Sequence, residues 1–253
     1  MNKLIIILLL LGLTVSCKKE EKAPCDNLVN GVYQFPELPE NHNMTSQEVT
    51  EFWDLPEDIC NCITTEGLIE TVMDYPDLRL IMAGSSPQSG YDLLIRERFR
   101  GIRELETRPD RAIYLLKKYK MIDPIGYDSN WDGIDIAGYI INNIWYYQII
   151  LSQYSNLEVF TNQEKIELIE TAFVVYNKSK ADTVNNNDVL SLATTSVVTA
   201  RLMKLDKYQP FMNVYNENNA VFEVVEYYWP TTYETVELIY SFSERYLKFL
   251  KNK

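Results

Sequence analysis

Asp128, Asn130 and Asp132 stand two residues apart, and Gly133 follows directly. Side-chain oxygens at that spacing can turn toward one hard cation, and glycine permits the sharp turn such a loop needs. Calcium is the ion this oxygen set would take, with Asp135 as a further donor. The same residue types also build an ordinary polar turn ahead of a helix, with Asp132 as its N-cap. Both uses are open at the level of sequence.

A second chemistry lies in residues 96–120. They hold nine of the 24 Lys and Arg with four acids among them, a local net charge of +5. Arg96, Arg100, Arg103 and Arg111 offer a face for an anionic ligand, such as an acidic glycan or a lipid headgroup, unless acidic neighbours in the fold pair with them. The 18 Tyr and 4 Trp are a third resource. Exposed rings stack on sugars, whereas rings at helical spacing, such as Tyr139, Trp145 and Tyr146, are more commonly core.

Signatures of catalysis are missing. The single His, His42, sits beside a proline-containing arm, so no His-based triad is available unless that arm folds onto the body. G-x-S-x-G, H-E-x-x-H, P-loop and dinucleotide patterns are absent. The 36 acidic residues could supply a carboxylate pair for glycoside hydrolysis, and nothing singles one out. A formal net charge of −12 speaks against nucleic acid, whose non-specific binding needs positive charge.

Several short motifs resemble known ones. Asp128–Gly133 resembles the first half of an EF-hand calcium loop, D-x-N-x-D-G. It departs from that pattern at the twelfth position, where Tyr139 replaces the bidentate acid, and at the eighth, where Asp135 replaces an apolar residue. A complete EF-hand is thereby excluded, a weak calcium site stays possible in principle, and no other cofactor is expected. Asp182-Thr183-Val184 resembles the acidic–hydroxyl–apolar acceptor of an O-glycosylation system of Gram-negative exported proteins, which implies Thr183 as the modified residue.

At the start of the chain, Lys3 precedes the apolar run Leu4–Leu13, and Thr14-Val15-Ser16-Cys17 follows. The run is too short to cross a bilayer and suits a signal peptide. The sequence resembles the export signal and lipobox of bacterial lipoproteins, with Thr14 where Leu is commonest. That resemblance implies a signal peptide over 1–16 and a lipidated Cys17, so that the membrane is met through the lipid alone. Lys19-Glu20-Glu21 is similar to a short Lys-acid-acid signal for the outer face of the outer membrane, which implies a cell-surface lipoprotein rather than a periplasmic one.

These residues must be positioned by a body that reads as all-α. Residues 17–44 are expected to be the lipidated Cys, a flexible tether and a proline-containing arm, because Lys18–Lys22 has no apolar residue and Pro36 and Pro39 exclude a helix. Residues 45–253 are expected to form a single helical domain of about ten helices, with a possible seam at 122–132. An irregular α–α superhelix or a stack of helical hairpins of the armadillo or HEAT kind fits short links between many helices. Gly133–Ser152, apolar on most sides, is expected to be the central helix. Cys60 and Cys62 read either as buried thiols or as partners for a bridge to Cys25, and not as a bridge to each other. In general shape the body is similar to uncharacterised exported helical proteins. The functional expectation is a lipid-anchored, non-catalytic scaffold that binds a protein or a glycan. A carboxylate-based polysaccharide hydrolase and a structural calcium-dependent module are the alternatives.

Overall fold

The computed structural model describes residues 28–128, 130–182, 189–229 and 231–253, with the side chains of 189 and 190 left out. Cys17, Lys19-Glu20-Glu21, Cys25 and Thr183 lie outside the described residues. The fold is all-α apart from one small hairpin, in which Leu28–Val29 pairs antiparallel with Val32–Tyr33. Asn30 and Gly31 both take left-handed φ values, 53° and 82°, as a two-residue hairpin turn requires.

The hairpin corrects the boundary expected at residue 45. It is docked on the Thr65–Met73 helix, where the Tyr33 N–H donates to Thr71 Oγ1 at 3.0 Å. The approach is close: a Cβ on Gly67 would stand 2.1 Å from the Gly31 carbonyl oxygen. Phe35 then meets the rings of Tyr33, Tyr75 and Phe99, and Trp53 Nε1 donates to the Pro36 carbonyl. The arm is extended, as its prolines demand, and it belongs to the folded body from Leu28 onward.

Helix starts follow local chemistry. Thr45 caps Ser46–Phe52 and Thr161 caps Asn162–Ala181, each in a reciprocal capping box with the Glu three residues on. The expected central helix is corrected. Gly133–Ser152 comprises Gly133–Ile140, a wide π-helical turn Ile141–Trp145, and Tyr146–Leu151. Its first turns bury a single face, through Ile136 and Ile140, and leave Ile134 81% exposed, so only Tyr146–Leu151 is buried on every side.

The centre is instead the Val189–Leu205 helix. It touches Tyr146–Leu151, Asn162–Ala181, Gln209–Glu217, Asn219–Tyr227 and Tyr233–Lys251. In a stack of hairpins each pair meets its neighbours only. Here the helices gather around one of their number. Ser191, Thr194, Thr195, Ser196 and Thr199 are all buried on it. Thr195 donates to the Ser191 carbonyl, Ser196 to Leu192 and Thr199 to Ser196, so these three hydroxyls place their protons within their own helix.

Among the described residues one hydrophobic core runs from Leu55 through Tyr147 to Leu250, joining the two sides of 122–132. Cys60 is a buried free thiol, whose ionisation burial pushes up, while Cys62 is disulfide-bonded to a partner outside the described residues. Among the described residues no helix is long and apolar enough to cross a membrane.

Candidate functional site

Three segments far apart in sequence meet at one cleft. Ser85, Ser86 and Pro87 form one rim, Tyr228 and Trp229 the other, and Trp145, Ile149 and Thr194 the floor. The first rim is locally determined. Ser86 Oγ accepts from the Ser89 N–H at 3.1 Å, and Ser89 Oγ accepts from the Ser86 N–H at 2.9 Å, a reciprocal cap on the short Pro87–Gly90 helix. Gly90 lies against the Leu78–Ala83 turn, where an added Cβ would stand 2.0 Å from the Ile81 carbonyl oxygen.

The opposite rim is strained. The Asn219–Tyr227 helix ends on Tyr228, whose φ of 56° and ψ of 32° are left-handed. A bulky side chain there costs about 1–2 kcal/mol and persists only where its surroundings hold it. Tyr228 is held at both ends of its ring. Its hydroxyl shares a 2.5 Å hydrogen bond with Ser152 Oγ, and its ring lies 4.4 Å from the Arg201 guanidinium carbon. Burial keeps that phenol neutral, raised above its ordinary value. The chain reversal leaves the flanking rings of Tyr227 and Trp229 41% and 43% exposed at the mouth.

Arg201 organises the ground beneath the cleft. It is 1% exposed and makes no carboxylate ion pair among the described residues. It donates instead to the carbonyls of Val225, Glu226 and Ser152 and to Gln88 Oε1. Val225 and Glu226 belong to the last turn of their helix, where carbonyls lack helical partners and the dipole is negative. Gln88 Nε2 in turn donates to Asp92 Oδ1 and Gln153 Oε1, at 3.0 Å each. The buried cation thereby fixes the amide that faces the outer groove beside Ser89 and Asp92.

On the floor, Trp145 Nε1 donates to Ser191 Oγ at 3.0 Å, which sets the plane of the indole. Thr194 Oγ1 donates to Gln148 Oε1, and Gln148 Nε2 donates to Thr195 Oγ1 and the Tyr119 hydroxyl. A satisfied buried network of this kind makes its members rigid. The inner cavity encloses about 170 Å³ and the adjoining groove about 320 Å³. Apolar walls with a few convergent polar groups are the usual make-up of a small-ligand site.

The residues singled out from sequence fare differently. Asp132 Oδ1 accepts from the N–H groups of Ile134 and Asp135, at 2.9 Å each, as an N-cap. Asp128 Oδ1 accepts from both the backbone and the side-chain amide of Asn130. Among the described residues no three His, Cys, Asp or Glu are placed to share a metal, Asp128, Asp132 and Asp135 included. These oxygens serve the turn and the helix start, the second of the two uses the sequence left open. Asp132→Ala is expected to lower stability by about 1 kcal/mol through loss of the cap. Thermal melts with and without millimolar calcium check this, and equal losses in both are expected.

The four arginines singled out in the basic stretch find partners within the fold. Arg96 pairs with Glu106 at 3.0 Å, and Arg100 lies 3.7 Å from Asp54. Arg103 donates to the carbonyls of Arg96 and Glu97, and Arg111 is buried, donating to the carbonyls of Arg108 and Ser155. Acidic neighbours and backbone oxygens absorb the charge. Of the cleft residues, sequence reasoning marked Trp145 as core. It missed Tyr228, Trp229 and Arg201, whose one local signal is the aromatic run 227–229 ahead of Pro230. Compared with known protein families, with curated proteins and with solved structures, the chain matches none of them.

Proposed function

We propose that the protein is a lipid-anchored binding module of the bacterial envelope, and that its body holds a glycan, without turning it over, in the cleft between Ser85 and Trp229. The observation that carries this is the pairing of indole walls with polar groups. Trp145 and Trp229 line the inner cavity, and Gln88, Ser89 and Asp92 line the groove that opens from it. A pyranose ring has an apolar C–H face that suits an indole and a rim of hydroxyls that suits an amide, a hydroxyl and a carboxylate. Asp92 is the one carboxylate among the lining residues of cavity and groove, whereas hydrolysis of a glycosidic bond ordinarily takes two. That favours binding over cleavage.

Anchoring rests on the run from Lys3 to Cys17, and the surface location on Lys19-Glu20-Glu21. Two variants test the two halves of the proposal. Trp229→Ala, at a half-exposed position, should bind oligosaccharides at least about tenfold more weakly by calorimetry while melting near the parent temperature. Failure of a broad oligosaccharide panel to bind, or parental affinity in Trp229→Ala, would discard the glycan. Cys17→Ala should lose lipid labelling and leave the membrane fraction, and its retention there would discard the anchor.

A further inference from the structure

A second groove opens beside the Gly133–Ile140 helix, away from the Trp229 cleft. Trp131, Asp135, Gly138, Tyr139, Asn142 and Asn143 line it, and it encloses about 490 Å³. Through Tyr139 and the two Asn it shares its wall with a cavity of about 390 Å³ that also contains Glu70, Asp74 and Asp123.

Its rings are held in place. The Tyr139 hydroxyl donates to the Asp123 carbonyl at 2.8 Å, and its ring meets Tyr127 edge-on at 5.9 Å. Trp131 stands edge-on to Tyr139 at 6.3 Å and keeps 44% of its surface open. The Asp128 and Asp132 turn that resembled an ion site in sequence is what presents this indole.

The charge around the groove is one-sided. No Lys or Arg occurs between Lys120 and Lys165, while Asp123, Asp128, Asp132 and Asp135 all fall in that interval. Lys118 and Lys178 approach the shared cavity, but they are spent on Glu70 at 2.5 Å and Asp123 at 3.2 Å. Neither Asp74 nor Asp135 has an ion pair among the described residues. Burial first, and Glu70 beside it second, hold the Asp74 carboxyl above its ordinary value, against the opposing pull of Lys118.

The acceptors also face one way. Asn142 Nδ2 donates to the Gly138 carbonyl and Asn143 Nδ2 to the Tyr139 carbonyl. One N–H of each amide is thus used on its own helix, and the Oδ1 atoms are available to accept. These residues belong to the Ile141–Trp145 π-turn, a wide turn found disproportionately at functional sites.

Gly138 is the independent observation. A Cβ added there would meet nothing within 4 Å, so no neighbour inside the fold requires glycine. Glycine within a helix costs about 1 kcal/mol relative to alanine. Open backbone at that cost, on the floor of a groove, leaves room for something from outside.

Ring faces, carboxylates and amide oxygens are a setting for an organic cation. We propose that this groove receives the ammonium or guanidinium side chain of a basic segment of a partner protein. A segment fits better than a small amine because the flank is apolar: Ile134 is 81% exposed, Met121 74% and Ile125 44%. Apolar neighbours of the basic side chain would cover them, the arrangement of an apolar contact inside a charged rim.

The test uses the full chain and three probes: an amphipathic Lys/Arg peptide, the same peptide with Gln in place of every Lys and Arg, and spermidine. Calorimetry at about 50 and 300 mM salt should show binding of the basic peptide that weakens with salt. Trp131→Ala, Asp135→Asn and Gly138→Leu should each bind it at least about tenfold more weakly. Trp229→Ala should bind it as the parent does, so this site and the glycan cleft can fail separately. Gly138→Leu should melt at or above the parent temperature, because its side chain enters open space, and its loss of binding would then be blockage. Equal binding of the Gln peptide, parental affinity in the three groove variants, or spermidine binding as tightly as the peptide would each overturn the proposal.

Discussion

Arg201→Met is expected to cost about 3–5 kcal/mol of folding stability. Methionine nearly matches the length and apolar stem of arginine, so little of this loss is volume. It comes from what stays behind. The carbonyls of Val225, Glu226 and Ser152 and the Gln88 side chain would lose their donor inside a site where Arg201 itself is 1% exposed. Tyr228 would lose the cation against its ring, and with it one of the two contacts that hold its left-handed backbone. Arg201→Lys should recover only part of the stability. An ammonium is a compact charge, and it cannot span acceptors on three segments as a planar fork does. Urea unfolding gives the comparison. A Met variant within about 1 kcal/mol of the parent would show that water replaces the guanidinium without penalty.

Gly90→Ala should cost about 2–3 kcal/mol for the addition of one methyl group. The new carbon would lie 2.0 Å from the Ile81 carbonyl oxygen and 2.7 Å from its carbonyl carbon. Both are backbone atoms, so no side-chain rotation relieves the clash. The Pro87–Gly90 turn must move off Leu78–Ala83 and carry Ser85 and Ser86 with it. Glycan affinity should therefore fall together with melting temperature, although no cleft side chain is altered. Gly138→Ala makes the same chemical change in open space and should raise the melting temperature. If the two variants melted alike, the close approach at Ile81 would not matter to stability.

The helical class was legible because helix starts are local events. Thr45 with Glu48, and Asp132 ahead of Ile134, cap as their spacing implies. The centre of the fold was not legible, for two physical reasons. Apolar residues all round Gly133–Ser152 implied burial, yet its first turns bury only the face of Ile136 and Ile140 and leave Ile134 in solvent. Val189–Leu205 carries enough hydroxyls to look half-polar, yet Thr195, Ser196 and Thr199 return their protons to their own backbone and are cheap to bury. The arm was misread because its docking depends on a contact 36 residues away, between Gly31 and Gly67. The cleft was beyond reach for the same reason at greater range, since Gln88 and Arg201 are separated by 113 positions. The calcium-like spacing shows the converse limit. Turn chemistry and ion chemistry draw on the same residues, and only the direction of the Asp128 and Asp132 oxygens separates them.

The self-contained hydroxyls of Val189–Leu205 have a consequence for how that helix is oriented. A helix that satisfies its own polar groups buries nearly as well at one azimuth as at another, because methyls and hydroxyls recur on every side of it. Burial energy then holds the helix in place but is almost blind to its rotation. The angle must be set by the few bonds that leave it: Ser191 to Trp145, Thr194 and Thr195 to Gln148, Thr199 to Ser243, and Arg201 to the end of the neighbouring helix. Of the residues in these bonds, Trp145 lies on the floor of the cleft, and Arg201 orders the amide at its mouth. Rotational setting of the core and shape of the site are thus written in the same handful of side chains.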